Sequence, residues 1–195
     1  MDRRIGILLA GGLSRRYGSP KAFAEMNGKK FYEMVYGILQ SVCDQVIIVT
    51  RKEFIDWFPD KYHVIVDVDD FSGCGPLAGI YSAMVEKEAE NYVVLPCDMP
   101  LMTSQVMKKL VTLHANDVTV VCSEGYLQPL VSTWSKNVKK DIYTALDKGK
   151  FKMTDVLETV DTAQIDGDKI SHSPLVFMNI NTPEEDKEMR RWKGS

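Results

Sequence analysis

Four stretches of this sequence hold residues whose type and spacing could do chemistry. The first is IGILLAGGLSRRYGSPK, from Ile5 to Lys21. A short apolar run breaks at Ala10-Gly11-Gly12, and Ser14, Arg15, Arg16 and Lys21 follow. Glycines let a backbone turn and come close to a ligand, and free N–H groups with nearby cations hold phosphates. Five residues separate Gly12 from Gly18, so the run is not a Walker A loop, and G-x-G-x-x-G is absent. Pro20 and the polar neighbours predict that Lys21 sits on an exposed loop. The second stretch is LPCDMP, where Asp98 follows an apolar run. A carboxylate at a strand end beside a phosphate loop suits Mg²⁺, which takes one or two carboxylates plus substrate phosphates. The third joins Asp67, ahead of Asp69-Asp70, to Gly75-Pro76-Leu77-Ala78-Gly79. A carboxylate at Asp67 could accept from the paired N–H donors of a guanine edge; Asp69 and Asp70 are the alternatives. The fourth is Asn179-Ile180-Asn181-Thr182-Pro183-Glu184. Thr182 to Glu185 reads as a capping box opening a helix, which leaves Asn179 and Asn181 available as donors and acceptors.

The elements that must position these residues follow from hydrophobic period. Ile5–Leu9, Val46–Thr50, Val64–Val66 and Tyr92–Leu95 are short β-rich runs, suited to strands buried on both faces of a parallel sheet. Phe31, Met34, Val35, Ile38, Leu39 and Val42 recur at helical spacing, and Gly75-Pro76 opens a second helix. Thr103 caps a third, running to about Ala115. Val118–Cys122 and Leu130–Trp134 read as further strands, and Asn137–Lys148 as a helix ended by Gly149. Strands alternating with helices predict an α/β fold: three layers, Rossmann-like, with a mostly parallel central sheet. Ligands of such sheets bind at the carboxyl ends of strands. Three predicted strands end there in candidate chemistry: at Leu9, before Asp67 and before Asp98.

Composition limits the function classes. The chain has 195 residues and reads as a single domain, 1–195, with 45% hydrophobic and 26% charged residues. Lys+Arg of 24 against Asp+Glu of 27 gives a net charge of −3, which argues against nucleic-acid or anionic-membrane partners. No signal peptide or spanning run is read, and the four cysteines form no CxxC, so a cytoplasmic protein with reduced thiols is expected. His63, His114 and His172 share no spacing with the motifs and read as ordinary residues.

The pattern LAGG-x-S-x-R-x-G-x-x-K, with GPLAG, CD-x-P and N-I-N-T-P-E, resembles the nucleotidyltransferase family that includes the molybdenum cofactor guanylyltransferases. With Asp67, which matches the family's nucleotide-binding aspartate, five segments match in order from residue 5 to 185. The resemblance implies a nucleotide-diphospho-sugar transferase type of fold and a Mg²⁺-dependent enzyme. That enzyme would transfer GMP from GTP to the terminal phosphate of molybdopterin-bound molybdenum, releasing pyrophosphate. It implies that Leu9, Ala10, Gly11, Gly12, Lys21, Asp67, Gly75, Gly79 and Asp98 hold GTP. Arg16, Lys21 and Asp98 would be catalytic, Asp98 would hold the Mg²⁺, and Asn179 and Asn181 would bind the pterin. Acceptor molybdoenzymes are implied as protein partners. Two positions depart from the pattern: Val49-Thr50-Arg51 stands where the family often has asparagine, and Lys150-Phe151-Lys152 where it tends to have arginine. Two other readings stay open: a CTP- or UTP-dependent transferase acting on a sugar, alditol or pterin phosphate, and a non-catalytic nucleotide or cofactor carrier.

Overall fold

The computed structural model of the chain describes residues 3–12, 19–180 and 185. In chain order the strands are β1 Arg4–Leu9, β2 Glu25–Met26, β3 Lys29–Lys30, β4 Gln45–Thr50 and β5 His63–Val66. They continue with β6 Asn91–Pro96, β7 Val118–Ser123, β8 Tyr126–Ser135 and β9 Thr162–Asp166. The helices are α1 Phe31–Gln40, α2 Pro76–Glu86, α3 Ser104–Thr112, α4 Lys139–Asp147, α5 Met153–Leu157 and α6 Gly167–Ile170. Among the described residues, seven strands form one sheet in the order β5-β4-β1-β6-β8-β7-β9, and β2-β3 is a separate small hairpin.

Strands β5, β4, β1 and β6 are mutually parallel; β8 pairs antiparallel with both β6 and β7, and β9 runs parallel to β7. Every strand of the sheet except β8 therefore points the same way. The central strands are apolar throughout because both faces are covered. Ile5 and Ile7 of β1 face the core beneath α2, α4 and α5, while Leu8 packs into the core beneath α1, α3 and α6. Gly6 lets α1 approach, since a Cβ there would sit 3.1 Å from the Cβ of Leu39. The result is the three-layer, mostly parallel fold that the alternating elements predict. No helix among the described residues is long and apolar enough to cross a membrane.

The strands and helices predicted within the described residues appear, with boundaries moved by a few residues; the helix expected after Thr182 lies outside them. β8 starts at Tyr126 rather than Leu130 because it tolerates Pro129 within a break in pairing. Val120 pairs with Ser132, but Val121 pairs with Gln128. Proline has no N–H to give the ladder and is admitted where the register shifts. The third helix stops at Thr112, short of Ala115, and Thr103 caps it by accepting from the Val106 N–H. Among the strands and α-helices, five have no counterpart in the sequence reading: β2, β3, α5, β9 and α6. Each is five residues or fewer, too short to show a period.

Candidate active site

The carboxyl ends of β1, β4, β5 and β6 lie side by side, since Leu9 pairs with Val49 and Pro96, and Thr50 with Val66. A cleft of about 490 Å³ opens over this edge. Leu9, Gly11 and Gly12 line it, as do Lys21, Asp67, Gly75, Gly79, Asp98 and Asn179. Residues from four separated stretches thus meet because four parallel strands deliver them to one edge.

Asp98 follows β6, and its backbone is held from both sides. The Cys97 N–H donates to the Leu9 carbonyl at 3.0 Å, and the Asp98 carbonyl accepts from the Ile180 N–H at 2.9 Å. The second bond brings the Asn179 segment to the cleft. The Asp98 carboxylate is paired: Lys21 Nζ donates to Oδ2 at 3.0 Å, with the two side chains 10% and 23% exposed. Lys21 lies on a short 3₁₀ turn, Lys21–Phe23, which directs its stem inward. The expectation of an exposed loop is corrected here, because Lys21 is buried. Pro20 marks the start of the turn rather than a solvated loop, and the partner that draws the lysine inside is 77 residues away.

Asp67 follows β5 and is half-buried. Its Oδ2 accepts from the Gly73 N–H at 3.0 Å. The next residue is anchored as well: the Val68 N–H donates to Ser82 Oγ at 2.9 Å, and that hydroxyl donates to the Ala78 carbonyl of α2 at 2.7 Å. Burial pushes the Asp67 carboxyl above its ordinary value, while the Gly73 bond and the Arg51 guanidinium pull it back down. A partly desolvated carboxylate held open to a cleft is ready to accept donors from a ligand. Asp69 also lines the cleft but is exposed, as is Asp70.

Two glycines are demanded by geometry. Gly75 caps α2 with φ +83° and ψ −167°, a region that side-chain-bearing residues avoid. At Gly79 a Cβ would meet Leu9 Cδ2 at 3.0 Å and Val49 Cγ1 at 3.3 Å, and would lie 3.6 Å from Asp67 Oδ1. Helix α2 therefore rests directly on the strand ends. Gly11 is different: a Cβ there would make only ordinary contacts, the nearest with Arg51 Cγ at 3.6 Å. Ala10 is buried beneath the cleft, its N–H donating to the Val49 carbonyl and its carbonyl accepting from Thr50 Oγ1. It shapes the turn from below.

The sequence matches the MobA-like NTP transferase domain over residues 6–164. The chain belongs to the MobA-like NTP transferase family. A Geobacillus sp. (strain WCH70) protein named as a probable molybdenum cofactor guanylyltransferase is 39% identical over 190 residues, covering 95% of this chain and 97% of its own. A Bacillus subtilis (strain 168) protein of the same name is 34% identical, covering 94% and 92%. The crystal structure of molybdopterin-guanine dinucleotide biosynthesis protein A from Archaeoglobus fulgidus superposes with a TM-score of 0.82 at 23% identity, covering 97% of this chain and 98% of that one. That likeness shows that the fold is shared.

In this MobA-like chain the cleft contains residues that the sequence reading had not placed in the site. Thr50, Arg51, Lys52 and Glu53, at the end of β4, line it, and Arg51 Nε donates to Glu53 Oε1 at 2.6 Å. The signal was present, since β4 ends at the same edge as the other strands, but Arg51 had been read only as a departure from the family pattern. Leu130 of β8 also lines the cleft. Lys150 and Lys152 do not, although the Phe151 carbonyl comes within 3.9 Å of where a Gly75 Cβ would be. Arg16 and Asn181 lie outside the described residues, as does the proposed cap at Thr182. His114 bonds Thr119 and Asn91 in the body of the fold, and burial lowers its pKa, in keeping with an ordinary histidine. Burial and the neighbouring Asp98 push the Cys97 thiol up, so it is no thiolate nucleophile.

The donor set fits a hard divalent cation that arrives with phosphates. No group of three or more His, Cys, Asp or Glu among the described residues could hold a metal by itself. Asp98 instead offers one carboxylate on the cleft that Gly11 and Gly12 also line, the kind of share a protein gives to a Mg²⁺–nucleotide site.

Proposed function

We propose that this chain is a molybdenum cofactor guanylyltransferase, joining GMP from GTP to the phosphate of a molybdopterin-type cofactor. The carrying observation is that Gly12, Lys21, Asp67 and Asp98 meet on one cleft of a MobA-like chain. Near-full-length likeness to proteins named as probable guanylyltransferases supports the choice of substrates.

In the reaction a phosphate oxygen of the pterin substrate attacks the α-phosphorus of GTP. The bond to the β-phosphate breaks, and pyrophosphate leaves with its electron pair. The attacking oxygen is already ionised near neutral pH, so no strong protein base is required. Catalysis reduces to holding the two phosphates in line and neutralising charge. The backbone at Gly11 and Gly12 cradles the triphosphate, and Lys21, together with Arg16, compensates its charge. Asp98 would hold the Mg²⁺, which when bound would supply Lewis-acid polarisation of the phosphate oxygens. Asp67 accepts from the guanine edge beneath the Gly75–Gly79 segment. Asn179, which lines the same cleft, is assigned to the pterin through its amide, and Asn181 is assigned the same role.

The test is pyrophosphate release with GTP, ATP, CTP and UTP, each with and without molybdopterin. Release that requires both GTP and molybdopterin supports the reading. Release with CTP or UTP on a sugar or alditol phosphate would replace it with a sister transferase. Nucleotide binding without release under any condition would replace it with a carrier.

A further inference from the structure

Arg51 lines the cleft, yet the reaction above gives it no part. It is the first residue past β4, and Asp67 is the first past β5. Thr50 pairs with Val66, so Arg51 and Asp67 leave the sheet side by side. Adjacent strands lie about 4.8 Å apart, which sets a guanidinium next to a carboxylate at one end of the row of strand ends. On its other side the stem of Arg51 lies against the glycine turn, since a Cβ on Gly11 would be 3.6 Å from Arg51 Cγ. The Lys21–Asp98 pair belongs to the end of β6, two strands further along the sheet from β4.

The local contacts suit a neutral ligand at this end rather than a phosphate. Arg51 Nε donates to Glu53 Oε1 at 2.6 Å, and its two Nη groups make no hydrogen bond among the described residues. The fork is therefore held at one corner, and the side chain is 40% exposed. Burial raises the Asp67 carboxyl, and the Arg51 charge is among the influences that draw it back down, so the two groups feel one another. Glu53 lines the cleft too. A carboxylate bonded to a phosphate-binding arginine would repel the phosphate, whereas beside an uncharged base it only steadies the fork. Arg51 and Lys52 against Glu53, Asp67 and Asp69 leave one net negative charge at this end of the cleft.

A guanine fits the pair in order. Its N1–H and N2–H donors are followed by two acceptors, O6 and N7, and arginine matches those acceptors with a bidentate fork. Both edges can be engaged at once, as in a duplex, where cytosine holds one and a groove-reading arginine the other. We propose that Arg51 is a second base-reading residue, its Nη groups donating to O6 and N7 of the guanine whose N1–H and N2–H face Asp67. This deepens the reading of GTP as substrate and rests on it. Adenine would turn an amino donor towards the fork, and a pyrimidine has no N7. Glu53 is then a positioning residue that orients the guanidinium.

The experiment is competition binding to the full chain against a fluorescent guanine nucleotide. The competitors are GTP, 7-deaza-GTP, ITP, ATP and CTP, on wild type, Arg51→Met and Arg51→Gln. 7-Deaza-GTP replaces N7 by C–H, and ITP lacks the 2-amino group but keeps O6 and N7. Both substitutions are at a well-exposed position, where stability changes little. Wild type is expected to bind 7-deaza-GTP about tenfold more weakly than GTP. Both variants are expected to bind GTP about tenfold more weakly than wild type and no better than 7-deaza-GTP, with the ITP penalty unchanged. Equal affinity of wild type for GTP and 7-deaza-GTP would overturn the proposal. So would variant losses of one size for GTP, 7-deaza-GTP and ATP, which would make Arg51 a phosphate contact. Either result, with GTP still preferred over CTP, would leave the guanylyltransferase reading in place. Wild-type preference for CTP over GTP would remove that reading, and the role of Arg51 with it.

Discussion

Replacing Asp67 by Asn tests whether one side chain chooses the base. Asn keeps the shape and can still accept the 3.0 Å bond from the Gly73 N–H, so the loop after β5 retains its anchor. What changes is the face towards the cleft: a charged acceptor becomes an amide. Guanine presents two adjacent N–H donors, whereas adenine presents an acceptor at N1 that an ionised carboxylate repels. A hydrogen bond to a charged group contributes about 1.5–3 kcal/mol. At about 1.4 kcal/mol per factor of ten, losing one such bond lowers GTP affinity about 10- to 150-fold. ATP should lose nothing, so the GTP/ATP ratio should shrink by at least the lower figure. Competition of GTP and ATP against a fluorescent guanine nucleotide measures the ratio directly. The pH dependence adds a second readout. Burial raises the Asp67 carboxyl above its ordinary 3.8, so wild type should lose GTP affinity on acidification before an ordinary carboxylate would, and Asp67→Asn should not show this loss. The sign for folding is opposite. A carboxyl whose folded pKa is raised favours the fold below the unfolded value, and this contribution disappears as pH rises through the folded value. At neutral pH Asp67→Asn should therefore be no less stable than wild type. An unchanged GTP/ATP ratio in the variant would show that backbone contacts choose the base and that Asp67 only anchors its loop.

Two further outcomes are expected. Asp98→Asn keeps the backbone bond from Ile180 but removes the carboxylate facing Lys21, so its Tm should fall, and pyrophosphate release per folded molecule should fall about a hundredfold or more; near-wild-type release at limiting Mg²⁺ would refute the metal role. Gly75→Ala forces a Cβ into φ +83°, ψ −167°, which costs about 1–3 kcal/mol. Its Tm should drop by about 2–12 °C in a thermal melt, and an unchanged Tm would show that the start of α2 tolerates a side chain.

Much of this protein was legible before any coordinates. β1, β4 and β6 are continuous apolar runs, because a strand covered on both faces has no reason to alternate. The end of each run therefore marked an edge of the sheet: Gly11 stood just past β1 and Asp98 just past β6, while Asp67 stood after the shorter run of β5. Gly75-Pro76 announced its helix by local chemistry alone, since proline at the first turn and a positive-φ glycine before it are decided within two residues. The tertiary structure decided what depends on partners distant in sequence. That β8 inserts antiparallel between β6 and β7 is a matter of which edges remain open, and no residue of β8 encodes it locally. Thr162–Asp166 reads as loop until β7 supplies the parallel partner that makes it a strand. Arg51 looked like a departure from a motif until β4 brought it to the cleft beside Asp67. Lys21 looked exposed because its local neighbours are polar. It is buried because a carboxylate 77 residues away compensates its charge, and charge compensation at that separation exists only once the chain has folded.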